Sequence, residues 1–309
     1  ELVWAGAEQP RALAWAILAY SALTWGGMTV YGKEAWLRDA EPFSVYFGIL
    51  GRFAPISGGA GDPDPPGTLR PYAVALTPDR PLSGSRLVFV ILMLAVVSFD
   101  GFRETPLWGD LAEGLLGAPP LLPAWQALTS AGFDPRACLL TAALLLMPLL
   151  FLGAYALTCW IVSRIHAREG EEAWEPASAL ARRFALTLVP IAIAYHFAHY
   201  LSYLLLAGQF AIPLASDPFG LGWDLFGTVL YRIDIGIIDA RAVWIVCLAA
   251  IVLGHMAAVY LAHRTTILCS GGGRPTLAGQ IPLVVLMIGY TMSSLWILAQ
   301  PIVVSPQTG

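Results

Sequence analysis

The stretch "AYHFAHYLSYLLL", residues 194–206, sets His196 and His199 three positions apart in a segment otherwise apolar enough to lie in lipid. Imidazoles transfer protons near neutral pH and ligate metals. In hydrocarbon an ionisable side chain costs a few kcal/mol, so it turns to a bundle interior or a wet cavity and is by default a functional group. The plainer alternative is a neutral histidine tying helices together through Ser, Thr or Tyr. The residues alone leave both readings open for His196 and for His199. At helical spacing His196, His199 and Tyr203 share a face, with Tyr195 and Ser202 beside His199. A second ionisable group in an apolar run is Asp100, which ends "LVFVILMLAVVSFD". A carboxylate and an imidazole together can do general acid/base work, and with further donors can hold a divalent metal such as zinc.

The further donors are Asp217 and Asp224 in "LASDPFGLGWDLFGT" and His255 in "GHMAAVYLAHRTT". Asp217 before Pro218 and Asp224 among glycines also have the look of Asx turns. His255 lies about 12 Å from the level of His199 by helical rise, an obstacle both to one shared metal and to a bis-histidine haem. His263, beside Arg264, reads as an interfacial residue. The metal candidates are thus His199, Asp100, Asp217, Asp224 and His255, with Asp100 and His199 as the catalytic pair. No H-E-x-x-H, G-x-S-x-G or phosphate-cradling glycine loop appears.

These side chains must be placed by membrane helices. The 309 residues are 57% hydrophobic and 12% charged, with a mean hydropathy of +0.68, whereas soluble domains carry about 25% charged residues. Runs of about 20 apolar residues cross a bilayer core, and five are clear: Ala12 to Val30, Ala137 to Val162, Phe184 to Leu206, Ala242 to Ala262 and Gln280 to Ala299. The run 87–99 is shorter, so either its helix continues with Asp100 below the membrane surface or it is a half-span meeting irregular backbone buried in protein. The expectation is one all-α domain over residues 1–309, a polytopic bundle of about six spans, one short or broken near Asp100. Residues 57–86, rich in Pro and Gly, read as an extended loop, and 207–241 as the connector on the opposite side. "EPFSVYFGILGRFAPI" is too short to span and should lie at the interface.

By rise per residue Asp100 and His199 fall at one depth, about 20 Å and about 22 Å into their spans. Thr291, Ser293 and Ser294 of the last span and Ser21 and Thr24 of the first land nearby, a polar belt on four helices. Connectors after the first, third and fifth spans carry twelve of the seventeen Lys and Arg residues. The positive-inside rule then puts them in the cytoplasm and both ends of the chain outside. No basic block suggests nucleic acid, and the four scattered cysteines have no ligand spacing. The partners expected are the lipid bilayer and other membrane subunits.

"YGKEAWLRDAEPFSVYFGILGRFAP", "SFDGFRETPLW", "RRFALTLVPIAIAYHFAHY", "SDPFGLGWDLFGT" and "GHMAAVYLAH" together resemble a group of bacterial multi-pass membrane proteins labelled fenitrothion hydrolase. The resemblance covers most of the chain in consistent order. It implies a bacterial inner-membrane protein that hydrolyses an aryl phosphotriester, and additional spans ahead of residue 1. The positions that match are Asp100, His199, Asp217, Asp224, His255 and His263. The family pattern has an apolar residue where this chain has His196, which favours His199 as the functional partner. Two readings stand beside the hydrolase: a non-catalytic subunit or assembly factor of a larger membrane complex, and a metal or small-molecule permease with a broken helix at Asp100.

Overall fold

The structure, a computed structural model, describes residues 9–58, 64–77, 81–168, 175–269 and 277–300. Among them the chain is α-helical, and its one β feature is an isolated bridge between Ile56 and Leu69. Among the described residues six helical segments are long and apolar enough to cross a membrane: Pro10–Tyr31, Gly84–Arg103, Pro135–Ala167, Ala177–Ser216, Ala240–Cys269 and Ala278–Leu298. The protein is a polytopic helix bundle.

In chain order the helices are α1 (Pro10–Tyr31), α2 (Lys33–Asp39), α3 (Pro42–Gly51), α4 (Gly84–Arg103), α5 (Pro106–Leu116), α6 (Leu122–Ser130), α7 (Pro135–Arg168), α8 (Ala177–Phe184), α9 (Val189–Ala207), α10 (Ala211–Ser216), α11 (Ala240–Cys269) and α12 (Leu277–Leu298). Single 3-10 turns at Ala185–Leu188 and Gly208–Phe210 join α8, α9 and α10, so the fourth span is one 40-residue helical run. The span read as Phe184 to Leu206 is the middle of that run. Of the loop at 57–86, residues 59–63 and 78–80 lie outside the described residues, and the remainder holds one 3-10 turn, Val74–Leu76, before α4 starts at Gly84.

Of the two alternatives for the run 87–99, α4 takes the continuous one and not the half-span. Ser83 caps it by accepting the Arg86 N–H at 3.3 Å, and the helix runs unbroken through Asp100 to Arg103. Its apolar run is extended by small and polar residues, Gly84, Ser85 and Gly101, that a hydropathy count leaves out. With α4 continuous, the permease expectation loses the broken helix on which it rested.

The segment from Phe184 to Ala192 is buried at every residue, which makes the start of α9 the axis of the bundle. Helix α11 packs along α9, α4 packs against α9 and α7, and α12 lies against α7 and α11. Tyr155 of α7 is fully buried and donates to the Ala181 carbonyl at 2.8 Å, so its hydroxyl is satisfied where lipid or core would leave it unpaired. Close approach of α9 and α11 depends on Gly254: a Cβ there would stand 2.4 Å from the Ala194 Cβ and 2.8 Å from the Pro190 carbonyl oxygen. Helix α1 packs chiefly on α2 and leaves Trp15, Leu23 and Trp25 exposed, a surface suited to lipid.

Helix α3 is the short apolar helix outside the spans. Glu41 caps it, accepting the N–H groups of Phe43 and Ser44 at 2.9 and 2.6 Å and a hydrogen bond from Tyr20 of α1. Burial pushes this carboxyl up, but the hydrogen bonds from Ser44, Tyr20 and the two backbone N–H groups outweigh it and hold it at about 2. A depressed carboxyl pKa adds stability that is complete above the ordinary value of 4.5 and is lost as pH falls toward 2. Glu41→Gln is therefore expected to lower stability by about 1 kcal/mol at pH 6. The gap from the unmodified protein should narrow between pH 4.5 and pH 2 in thermal unfolding; a gap constant over that range would contradict the assignment.

Candidate functional site

Asp100 sits one turn before the end of α4. Just beyond it Thr105 accepts the Trp108 N–H at 3.3 Å and, with Pro106 in the first turn, starts α5. Trp108 then meets Phe99 and Phe102 edge to face, with ring centroids 5.6 and 5.9 Å away, and this aromatic clasp fixes the end of α4 that carries Asp100. His199 is presented from the middle of α9.

The two meet across the helix interface, with His199 Nε2 2.8 Å from Asp100 Oδ2. A carboxylate only accepts, so Nε2 carries the hydrogen, and in the neutral form of the ring the lone pair is on Nδ1. The Tyr200 hydroxyl donates to the same carboxylate oxygen at 3.4 Å, and Arg103 Nε stands 3.3 Å from Oδ1 and 3.2 Å from Glu104 Oε1. Around the imidazole, Tyr195 lies nearly parallel at 6.3 Å and Tyr200 is edge-on at 4.7 Å. The pair is half-buried, with 18% of the Asp100 and 21% of the His199 side chain exposed.

His199 lines a cavity of about 330 Å³ between α4, α9, α11 and the end of α12. Glu104, Ser202 and Gln300 supply polar wall, while Trp244, Ile251 and Leu298 make the rest apolar. Gly101 lies beside the imidazole: a Cβ there would come within 2.8 Å of the Tyr195 hydroxyl, 2.9 Å of Ile297 Cγ2 and 3.6 Å of His199 Nδ1. The missing side chain lets the Tyr195 hydroxyl and Ile297 pack against α4 beside the imidazole. This arrangement can take a proton from a molecule in the cavity, with the resulting imidazolium balanced by Asp100.

The other expected site residues go elsewhere. His196, one turn from His199, donates from Nδ1 to the Ala192 carbonyl at 2.7 Å and faces Tyr46 of α3. Tyr203, expected on the same inward face, is 64% exposed. Asp217 accepts the N–H groups of Leu221 and Gly222 at 2.8 and 2.7 Å, and Asp224 accepts from the Ser216 hydroxyl and the Val229 N–H. Both carboxylates hold the turns of the 217–229 loop. His255 bonds the Ile251 carbonyl within α11, and His263 bonds Gln280 of α12. The belt is divided too. Ser293 and Ser294 line a separate cavity of about 270 Å³, walled off by Tyr195 and Ile297, and α1 with Ser21 and Thr24 packs on α2 instead.

Among the described residues no three His, Cys, Asp or Glu side chains gather as a metal site. The shared set of His199, Asp100, Asp217, Asp224 and His255 is therefore not assembled. Asp100 and His199 also face each other, with the Arg103 cation at the remaining carboxylate oxygen. A divalent cation would find two donors and a like charge, so this donor set does not fit one.

Sequence reading passed over Arg103, Tyr200, Glu104 and Gly101. Arg103 was within reach, being three residues from Asp100 on the same helix. Tyr200 and Gly101 act only through the packing of α4, α9 and α12, which no single segment encodes. No family model, curated protein or solved structure matches the chain.

Proposed function

We propose that the protein is a membrane-embedded hydrolase in which His199, held by Asp100, serves as general base toward a neutral, lipid-soluble ester. One observation carries this reading: the 2.8 Å carboxylate–imidazole pair at the wall of a largely apolar cavity of about 330 Å³. An uncharged ester partitions into the bilayer and fits apolar walls, whereas an ionic substrate would have to be desolvated there. The resemblance to fenitrothion hydrolases specifies the ester as an aryl phosphotriester.

In the reaction, water in the cavity attacks phosphorus as His199 Nδ1 takes its proton. The new P–O bond forms, the P–O bond to the aryl group breaks, and the aryl oxide leaves with that electron pair. Asp100 stabilises the imidazolium until its proton returns to solvent, and Arg103 and Tyr200 hold the carboxylate in position. Helices α4 and α9 supply the base. The apolar wall from α11 and α12 would seat the alkyl and aryl groups.

The distribution of Lys and Arg supports an orientation with both ends of this chain outside, which puts the cavity toward the outer leaflet, and the resemblance to fenitrothion hydrolases supports a bacterial inner-membrane location. The test is release of 4-nitrophenolate from diethyl 4-nitrophenyl phosphate by the full chain in proteoliposomes. No release above protein-free vesicles would end the phosphotriesterase reading.

A further inference from the structure

The cavity of about 270 Å³ between α4, α7, α9 and α12 is divided from the one at His199 by Tyr195 and Ile297, which line both. Its wall is rich in rings: Phe102, Phe151, Tyr195, Tyr290 and Trp296 all take part. Among the described residues no charged side chain lines it. All four helices belong to membrane-spanning segments, so what fills the space comes from an apolar solvent.

Two hydroxyls in this wall are unused. A serine or threonine inside a helix can give its hydroxyl to the carbonyl one turn back, as Thr291 does to Met287 at 2.8 Å and Ser293 to Gly289 at 2.9 Å. Ser294, the next residue of α12, does not. It is 7% exposed, lines the cavity and has no hydrogen-bond partner among the described residues. Ser98 of α4 lines the same cavity and is likewise without a partner. The unpaired Tyr290 hydroxyl is sealed off by protein, but the two serine oxygens are not, so a molecule in the cavity can reach both. A hydroxyl hydrogen without an acceptor is unfavourable in apolar surroundings, and an ion would be more so. The occupant therefore has to be neutral and to bring an acceptor. A carbonyl oxygen meets this demand, with two lone pairs and no hydrogen of its own to place.

We propose that this cavity binds a neutral, lipid-soluble compound with a carbonyl group on a flat ring, a quinone or an aryl ketone, which accepts hydrogen bonds from Ser98 and Ser294 while its ring packs among Phe102, Phe151 and Trp296. Apolar walls with a few placed polar groups are the usual form of such a site, and aromatic side chains favour a flat body. The site is separate from the Asp100–His199 pair and does not depend on the hydrolase reading.

The test is equilibrium binding of radiolabelled decylbenzoquinone, kept oxidised, to the full chain in nanodiscs, with protein-free nanodiscs as the baseline for partition into lipid. Saturable binding above that baseline is expected, roughly fivefold weaker for Ser98→Ala and for Ser294→Ala. Ser293→Ala, whose hydroxyl is engaged within its own helix, should bind like the unmodified protein. Decylbenzene, which has a chain and a flat ring but no acceptor, should compete roughly tenfold less well than unlabelled quinone. Denaturant midpoints without ligand separate binding from a structural role. Removing an unpaired hydroxyl should leave the midpoint unchanged or raise it, whereas losing a serine that ties helices together would lower it. Absence of saturable binding, unaltered binding in both serine variants, equal competition by decylbenzene, or a lowered ligand-free midpoint would each overturn the proposal.

Discussion

His199→Ala is expected to lower turnover of a neutral aryl phosphotriester by a factor on the order of 10² to 10⁴, the usual contribution of a positioned general base. The substitution leaves Asp100 beside Arg103 at 3.3 Å and within reach of Tyr200, so the carboxylate is not abandoned in an apolar interior and the bundle should stay folded. The loss should fall on kcat, because the base acts in the transition state and the apolar walls that bind the ester are untouched. Asp100→Asn keeps the shape and removes the charge that balances the imidazolium, so a drop of roughly tenfold or more is expected with KM little changed. If both variants turned over like the unmodified protein, the dyad would have no part in the chemistry.

The largest structural effect is expected at Gly254. Replacing it with Ala puts a Cβ 2.4 Å from the Ala194 Cβ and 2.8 Å from the Pro190 carbonyl oxygen. One contact is with backbone and the other with a side chain that has no rotamers, so neither can turn aside. Relief requires α9 and α11 to separate, in a bilayer where close packing of small residues is itself a main source of helix association. A loss of about 3 kcal/mol is expected, at the upper end for overpacking, measured as a lower denaturant midpoint in mixed micelles. Ala194→Gly in the same chain should restore part of it and not all, because the Pro190 contact remains, and a double-mutant cycle should return a coupling of about 1 kcal/mol. Turnover should fall as well, since the 330 Å³ cavity is bounded by Ala198 of α9 and Cys247 and Ile251 of α11. A Gly254→Ala protein with the midpoint of the unmodified chain would mean that the two helices do not pack as described.

What the sequence by itself determined is the part of this protein that depends on distance along the chain. Hydrophobic runs and the rarity of charge specify a membrane bundle, because crossing lipid needs a set number of consecutive apolar residues. Asp100 and His199 fall at one level because every residue of a helix advances by the same rise, and the two side chains meet at 2.8 Å. Tertiary structure decided direction. His196 and His199 are three residues apart on one helix, yet one turns to Tyr46 of α3 and the other to Asp100 of α4. The rotation of a helix about its own axis is set by its neighbours, here by the contacts of Gly254 with Ala194 and of Gly101 with Tyr195. Asp217 and Asp224 were drawn into their own loop by nearby N–H groups that lay closer in sequence than any site in the bundle. The continuity of α4 through Asp100 was settled in the same way, by the clasp of Trp108 on Phe99 and Phe102 and by the burial of Phe99 and Gly101, interactions between segments that hydropathy within one segment does not contain.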